Sequence, residues 1–307
     1  MSHEGIADVQ ADDPGAAVDW GEGGTVLAFL NEVAGGRRLL GAIRERVEAG
    51  AEEVAVVAPQ NQPIVGQIVD RDEVREAALS RVEVTQAVLG DFGIETVGAT
   101  MDRDPSLALD DSVRAFGPRE VLLSALYESR YGLLRRDLVE WAKAKLEVPV
   151  THVPVRVEDD SVRWDVTHTL VVGTQTIDSP ALIGHLKRRA DDHPHRYTII
   201  CPRSGDVGRE EVVTRLATTL AELYRSEIDA TGQPMSPEPL AAIQNAIEHY
   251  RVDDILISTL AGQRSKWLEE GLIEKVHEIT DKPVEHVGEA RGEVQLVASR
   301  ATPEAGA

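Results

Sequence analysis

Short apolar runs alternate with amphipathic stretches along most of this chain. Thr25–Leu30, Glu53–Ala58, Glu95–Thr100, Glu120–Ser124 and Val148–Val153 are compact and rich in β-branched residues. Runs that are apolar at consecutive positions predict parallel strands buried on both faces. Between them, apolar residues recur at helical spacing. Leu39, Leu40, Ile43 and Val47 form one stripe, and Val74, Ala78, Val82, Leu89 and Phe92 form another. A third helix opens at Asp104-Pro105, with proline in its first turn. Leu134, Leu138 and Ala142 give a fourth helix its core face.

The same order then returns. Strands are predicted at His168–Gly173, Arg196–Cys201, Glu227–Thr231, Asp254–Ser258 and Pro283–Val287. Helices are predicted at Ser179–Ala190, Arg209–Arg225, Pro237–Tyr250 and Lys266–Ile279. Strands that alternate with helices specify βαβ units with right-handed crossovers.

The second series copies the first. Residues 121–150 and 255–284 align without a gap at an offset of 134, placing Leu134 on Leu268, Leu138 on Leu272, Pro149 on Pro283 and His152 on His286. At an offset of 143, Val26–Asn31 lies over Thr169–Thr174 and Val54–Pro59 over Tyr197–Pro202. The first copy therefore holds about nine extra residues, expected between Pro59 and Pro105. A repeat this long is a domain duplication, well above the roughly 20–50 residues of a solenoid unit. The expected organisation is an acidic flexible tail (1–23), a first unit (24–156), a linker (157–167), a second unit (168–289) and a C-terminal tail (290–307).

Composition narrows the function classes. The formal net charge of −21 repels nucleic acid and anionic lipid, so neither is an expected partner. Sparse aromatics, at 4 %, further disfavour a base-stacking surface. A single cysteine, Cys201, excludes an internal disulfide framework and fits a reducing compartment. The N-terminal MSHEGIADVQADD has neither the basic segment nor the apolar run of a signal peptide. No apolar stretch approaches the ~18–20 residues needed to span a bilayer. The expectation is a soluble, cytoplasmic protein.

The strand–helix–strand end of each copy, "ILIS…G…GLIEKV…PVEHV" in the second, resembles the universal stress protein family, as does the tandem arrangement. The resemblance runs from about Thr25 to Val287. It implies an α/β fold of two tandem doubly wound domains, each a five-stranded parallel sheet in the order 3-2-1-4-5 flanked by helices. It also implies a ligand site at the carboxyl ends of strands 1 and 4, where the strand order reverses. Nucleotide-binding members carry Gly-x2-Gly-x9-Gly-Ser/Thr after strand 4 and an aspartate after strand 1. Glycines there let the backbone approach phosphates, and the next helix presents amides and the positive end of its dipole.

This chain departs from that pattern. The second copy reads Ser258-Thr259-Leu260-Ala261-Gly262, then Gly271 after only eight residues, then Leu272. The first copy has Glu128 and Asp137 where the second has Gly262 and Gly271. Carboxylates there would repel a triphosphate. The position after strand 1 is Asn31 or Glu32 in the first copy and Thr174 in the second.

By resemblance, the binding residues are therefore Gly173, Thr174, Pro202, Gly262, Arg264, Ser265 and Gly271, all in the second unit, with ATP, another adenine nucleotide or another small anion as ligand. The competing reading is an ordinary strand-to-helix turn with Ser265 as N-cap and Trp267 packed beneath the helix.

Other candidates read as structural. Arg130, Arg135 and Arg136 fit a solvated helix face paired with Glu140. His152 and His286 fit strand positions at a shared interface, without the ligand spacing of a metal site. His193-Pro194-His195 fits a polar turn. Cys201, at the end of a buried strand, fits an inert thiol. No P-loop, nucleophile elbow, zinc-protease or dinucleotide fingerprint is present. No acid/base pair is persuasive, so catalytic and metal residues are expected to be none.

The function expected is that of a cytoplasmic stress-response or signalling protein that acts by binding a small ligand or a protein partner. Two alternatives remain: a slow ATP-hydrolysing enzyme, with Glu269 and Glu270 as the acids nearest the site, and a structural pseudo-dimer with no functional pocket. The resemblance also implies intramolecular pairing of the units through their last strands, Val148–Val155 and Pro283–Val287, with His152 and His286 near the axis.

Overall fold

The computed structural model describes residues 18–21, 23–31, 34–61, 71–125, 130–131, 136–155, 166–202, 207–235, 238–250, 252–260, 267, 270–290 and 293–299. In chain order the first unit holds β1 (Thr25–Leu30), β2 (Ala34–Gly35), α1 (Arg37–Glu48), β3 (Glu53–Pro59), α2 (Arg71–Gly90), β4 (Thr96–Met101), α3 (Pro105–Phe116), β5 (Glu120–Ala125), β6 (Arg130–Tyr131), β7 (Arg136–Asp137), α4 (Leu138–Lys145) and β8 (Val150–Pro154). The second holds β9 (Thr167–Val172), α5 (Pro180–Asp192), β10 (His195–Pro202), α6 (Arg209–Arg225), β11 (Asp229–Met235), α7 (Pro239–Tyr250), β12 (Asp254–Leu260), α8 (Leu272–Ile279), β13 (Val284–Ala290) and β14 (Glu293–Ser299).

The first sheet runs β4-β3-β1-β5-β8, all parallel. The second contains the same parallel order, β11-β10-β9-β12-β13. Both are doubly wound, with the reversal between the first and fourth strands of each unit. Part of the first copy's excess length is in α2, which has 20 residues against 17 in α6.

Alternation along the strands sorts side chains into layers. Leu27 and Phe29 face an outer core with Ala108, Leu109, Leu138 and Ala142 of α3 and α4. Leu170 and Val172 face an equivalent outer core with Ile243 of α7 and Leu272 and Val276 of α8. The inner faces share one core. Val26, Leu40 and Val82 of the first unit belong with Val171, Leu186 and Leu216 of the second to a single cluster of buried residues.

The units meet through helices. Helix α2 packs on α6, and the Phe92 ring meets Tyr224 edge-on at 5.0 Å between centroids. Arg225 lies over the Phe92 ring, also at 5.0 Å. Arg209 pairs with Glu83 at 3.2 Å, and Arg37 Nη1 donates to Glu227 O at 2.8 Å.

This corrects the expected pairing through last strands. β8 pairs with β5, and β13 lies between β12 and the antiparallel β14. His152 Nε2 donates to Ala125 O at 3.0 Å, while His286 Nε2 lies 2.8 Å from Thr259 Oγ1, so each histidine is satisfied within its own unit. The reason is local. The segment expected to be a C-terminal tail contains β14, which covers the β13 edge. Two residues of the first unit, β2, pair antiparallel with β11 (Thr231↔Gly35, Gly232↔Ala34) and cap the opposite side of the second sheet.

Other expectations also shift. The end of the N-terminal tail is anchored, with Trp20 buried in the shared core and Arg119 Nη1 donating to Asp19 O at 2.6 Å. Arg130 and Arg136 lie in a two-residue ladder, β6–β7, and not on a helix. Helix α4 begins only at Leu138 because Asp137 caps it, accepting from Glu140 N–H at 2.9 Å. The helix expected over Lys266–Ile279 is broken: Trp267 is helical, but Gly271 adopts φ +67° and α8 runs from Leu272. Leu134 and most of the expected linker lie outside the described residues.

The duplication also repeats an ion pair. Arg46 of α1 binds Glu120 at the start of β5 through two bonds, Nε–Oε2 at 3.1 Å and Nη2–Oε1 at 2.9 Å. At the corresponding positions, Arg189 of α5 binds Asp254 at the start of β12, and also Glu285 at 2.9 Å. Each pair ties the first helix of its unit to the amino end of the fourth strand.

Candidate functional site

In doubly wound sheets ligands sit where the strand order reverses, beyond the carboxyl ends of the strands. Here those places are between β1 and β5 and between β9 and β12. The two copies differ there in one respect. In the first unit the ladder runs on to Leu30↔Ser124, and Asn31 N donates to Ser124 O at 3.0 Å. In the second unit it ends at Ile257↔Val172, so the aligned pair Gly173 and Ser258 is unpaired as a rung.

Gly173 occupies the parting. Its N–H donates to Ile200 O at 3.2 Å, continuing the β9–β10 ladder. A side chain on Gly173 would meet Ile177 Cδ1 at 3.3 Å and Ser258 Cβ at 3.4 Å, so it would press on Ile177, which would have to give by a few tenths of an ångström. Around it lie small neutral hydroxyls. Ser258 Oγ donates to Thr176 Oγ1 at 2.7 Å, and Thr174 Oγ1 donates to Pro202 O at 2.6 Å.

Three of the seven sequence-predicted residues, Gly173, Thr174 and Pro202, are thus brought together. The Thr174 hydroxyl is spent on the Pro202 carbonyl, so its role there is to hold the ends of β9 and β10 together. Gly271 stands at the N-terminus of α8, the helix that follows β12. Gly262, Arg264, Ser265, Glu128, Glu32 and Glu269 lie outside the described residues. Trp267 packs against the outer core of the second unit, as the turn reading expects.

The first unit places an arginine beside its reversal point, over the ends of β1 and β3. Arg81 of α2 is 1 % exposed and sends its guanidinium to the ends of β1 and β3. Its Nη1 donates to Asn31 O at 3.0 Å, and its Nη2 to Pro59 O at 2.6 Å and Asn61 Oδ1 at 3.0 Å. Asn61 Nδ2 in turn donates to Asn31 Oδ1 at 2.9 Å. The aligned residue in the second unit is Arg215 of α6. It reaches the same loop, donating to Gln175 O at 3.2 Å, but it is also held by Asp178 at 2.7 Å and Glu211 at 2.8 Å.

Neither arginine was singled out from the sequence. The signal was present, since 81 and 215 differ by the repeat offset of 134. The consequence for chemistry is asymmetric. In the first unit a buried cation sits on backbone carbonyls beside the reversal point, while in the second the described residues there carry buried hydroxyls.

Cys201 is fully buried at the end of β10, and burial pushes its thiol well above the ordinary range, as suits an inert residue. His193 and His195 bracket the turn into β10. Among the described residues, no group of three or more His, Cys, Asp or Glu could hold a metal ion. No helix among them is long and apolar enough to cross a membrane.

No protein-family model and no curated protein matches the chain. Among solved structures it is similar to a universal stress protein from Archaeoglobus fulgidus DSM 4304, at 16 % identity over 87 % of this chain and 97 % of that one, with a TM-score of 0.34. It is also similar to a putative universal stress protein from Pseudomonas aeruginosa UCBPP-PA14, at 11 % identity over 86 % of this chain and 92 % of that one, with a TM-score of 0.28. The doubly wound architecture follows from the strand order and register themselves.

Proposed function

We propose that this protein acts by binding, in a cytoplasmic stress-response or signalling role, and that its ligand is a small anion seated at the reversal point of the second unit. An adenine nucleotide is the first candidate. The observation that carries this reading is the early parting of β9 and β12 after Val172 and Ile257, at a point where the first unit stays paired. Gly173 and Ser258 lie at this parting and Gly271 heads α8, while the resemblance adds Gly262, Arg264 and Ser265, which lie outside the described residues, as expected phosphate contacts. A helix N-terminus such as that of α8 favours an anion through unpaired amides and its dipole.

The test is ligand-induced stabilisation of the full chain. A ligand at a hundred times its Kd stabilises the native state by about 2.7 kcal/mol. Millimolar ATP or ADP, with and without Mg²⁺, should raise the melting temperature, and Gly262→Asp should abolish the rise. No shift with ATP, ADP or inorganic phosphate would sink the reading. A shift that survives Gly262→Asp would move the site elsewhere. Release of phosphate from ATP in the same samples would favour the hydrolase alternative.

A further inference from the structure

Among the described residues, β4 is an edge strand left open. It ends the first sheet, paired on one side with β3 only. The other strands that end the two parallel arrays are covered. β11 carries β2, β13 carries β14, and β8 is buried along Thr151, His152 and Val153. Proteins blunt free edges with lysine, proline or inward charges. The six residues of β4, TVGATM, contain none of these. Val97 is 40 % exposed, and Gly98 is exposed beside it.

We propose that β4 pairs with β4 of a second copy of this chain, antiparallel about a two-fold axis at Ala99. The strand's own sequence supports this occupant. An isologous contact must be self-complementary. With Ala99 opposite Ala99, Glu95 of each copy falls opposite Arg103 of the other, and Val97 falls opposite Met101. Both ends then carry an opposite-charge pair and the middle is apolar. Glu95 and Arg103 form no ion pair with any other described residue of their own chain.

The backbone agrees with that register. Gln60 N–H is shared between Met101 O at 3.2 Å and Asp102 O at 3.1 Å where the β3–β4 ladder ends, and Thr96 O accepts from Gln86 Nε2 of α2 at 3.2 Å, which turns the Thr96 carbonyl away from β3. By alternation Gly98 and Thr100 also point their N–H and C=O away from β3, and theirs are the groups offered to the second copy. In the proposed register Gly98 lies opposite the other copy's Thr100, so outward groups meet outward groups and exchange hydrogen bonds. The odd pairs are then the non-hydrogen-bonded ones, whose side chains approach most closely.

Side-chain placement also fits. Ala99 and Met101 pack against the outer core, so Val97 would extend that core across the axis. Leu107, 55 % exposed on α3, adds apolar surface on the same face. On the opposite face, a side chain at Gly98 would come within 2.6 Å of Val82 Cγ1 and 2.5 Å of Gln86 Oε1. Glycine there lets α2 sit close to the strand and leaves its outer edge accessible.

Sedimentation equilibrium of the full chain at physiological ionic strength tests the proposal. The wild type should reach twice its mass of 33.4 kDa at micromolar to tens of micromolar concentration. Val97→Lys should be monomeric with unchanged circular dichroism, because the side chain is already partly in water. Glu95→Arg or Arg103→Glu alone should weaken association about tenfold by setting like charges opposite each other twice per dimer. The double variant Glu95→Arg/Arg103→Glu should restore it. A wild type that stays monomeric, a dimer indifferent to Val97→Lys, or single and double charge variants of equal affinity would each overturn the proposal. Pairing of β4 with a strand of a different protein in place of a second copy would also overturn it.

Discussion

The most demanding side chains in this molecule are its buried charges. Glu120 has a side chain only 5 % exposed, and it is satisfied by two bonds from Arg46 and one from Thr151 Oγ1 at 2.7 Å. Removing one member of such a pair strands the other in low dielectric, typically at ~3–5 kcal/mol. Arg46→Met should therefore lower the urea midpoint sharply, by about 3 kcal/mol in unfolding free energy, while Arg46→Met/Glu120→Leu should recover much of it. Titration adds a second check. The bond from His185 holds the Glu285 carboxyl below the usual range, and burial lowers His286. Both shifts favour the form present at neutral pH. The His286 contribution is present above ~6.5 and is lost as pH falls toward its folded-state value, because the buried ring must take up a proton. The Glu285 contribution persists to lower pH and is lost only below ~4.5. Urea midpoints should thus fall in two steps on acidification. His286→Asn should flatten the upper step and Glu285→Gln the lower.

At the scale of elements, the central strands were legible because buried parallel strands are apolar at successive positions, whereas the more polar β11 runs Asp229–Met235 in place of the expected Glu227–Thr231. β1 matched its expected bounds, and α6 did so through its regular stripe. Short-range signals carried less. β2 is two residues, Ala34 and Gly35, and owes its existence to Thr231 and Gly232 far along the chain and to Thr85 Oγ1, which accepts from Gly35 N at 3.1 Å. β14 was hidden because its sequence follows the apparent end of the repeat, where the two copies no longer align. The candidate site was legible in part. Gly173, Thr174 and Pro202 were found from the repeat and the resemblance, whereas Arg81 and Arg215 were missed because a lone arginine in a helix reads as solvated. Two element-level outcomes follow. Truncation after Ala290 should expose the β13 edge, and hydrogen exchange should accelerate at β13 amides while β1 and β3 stay protected. Thr85→Val should cost about 1–2 kcal/mol by leaving the Gly35 amide without its acceptor.

For the whole molecule, the shared inner core decides how it unfolds. Val153, 5 % exposed, belongs to the same cluster as Leu216 and Leu223 of the other unit. Domains joined by small polar interfaces move independently, whereas large apolar ones couple them. Calorimetry should show one cooperative transition for both units, with equal calorimetric and van't Hoff enthalpies. Val153→Asp should destabilise that single transition by several kcal/mol, about what a buried unpaired charge costs, and should not release two stable lobes. Two resolved transitions in the wild type would contradict the shared core.

The crossing of β2 into the second sheet has a consequence for synthesis. Gly35 emerges from the ribosome 196 residues before its partner Thr231. At ~5–20 residues per second, that is a wait of about 10–40 s. Throughout it, the first half can close its own sheet but must carry the inner faces of α1 and α2 bare. Bare apolar faces of this kind are prone to aggregate, so slowing translation between the two halves should lower the soluble yield of the full chain.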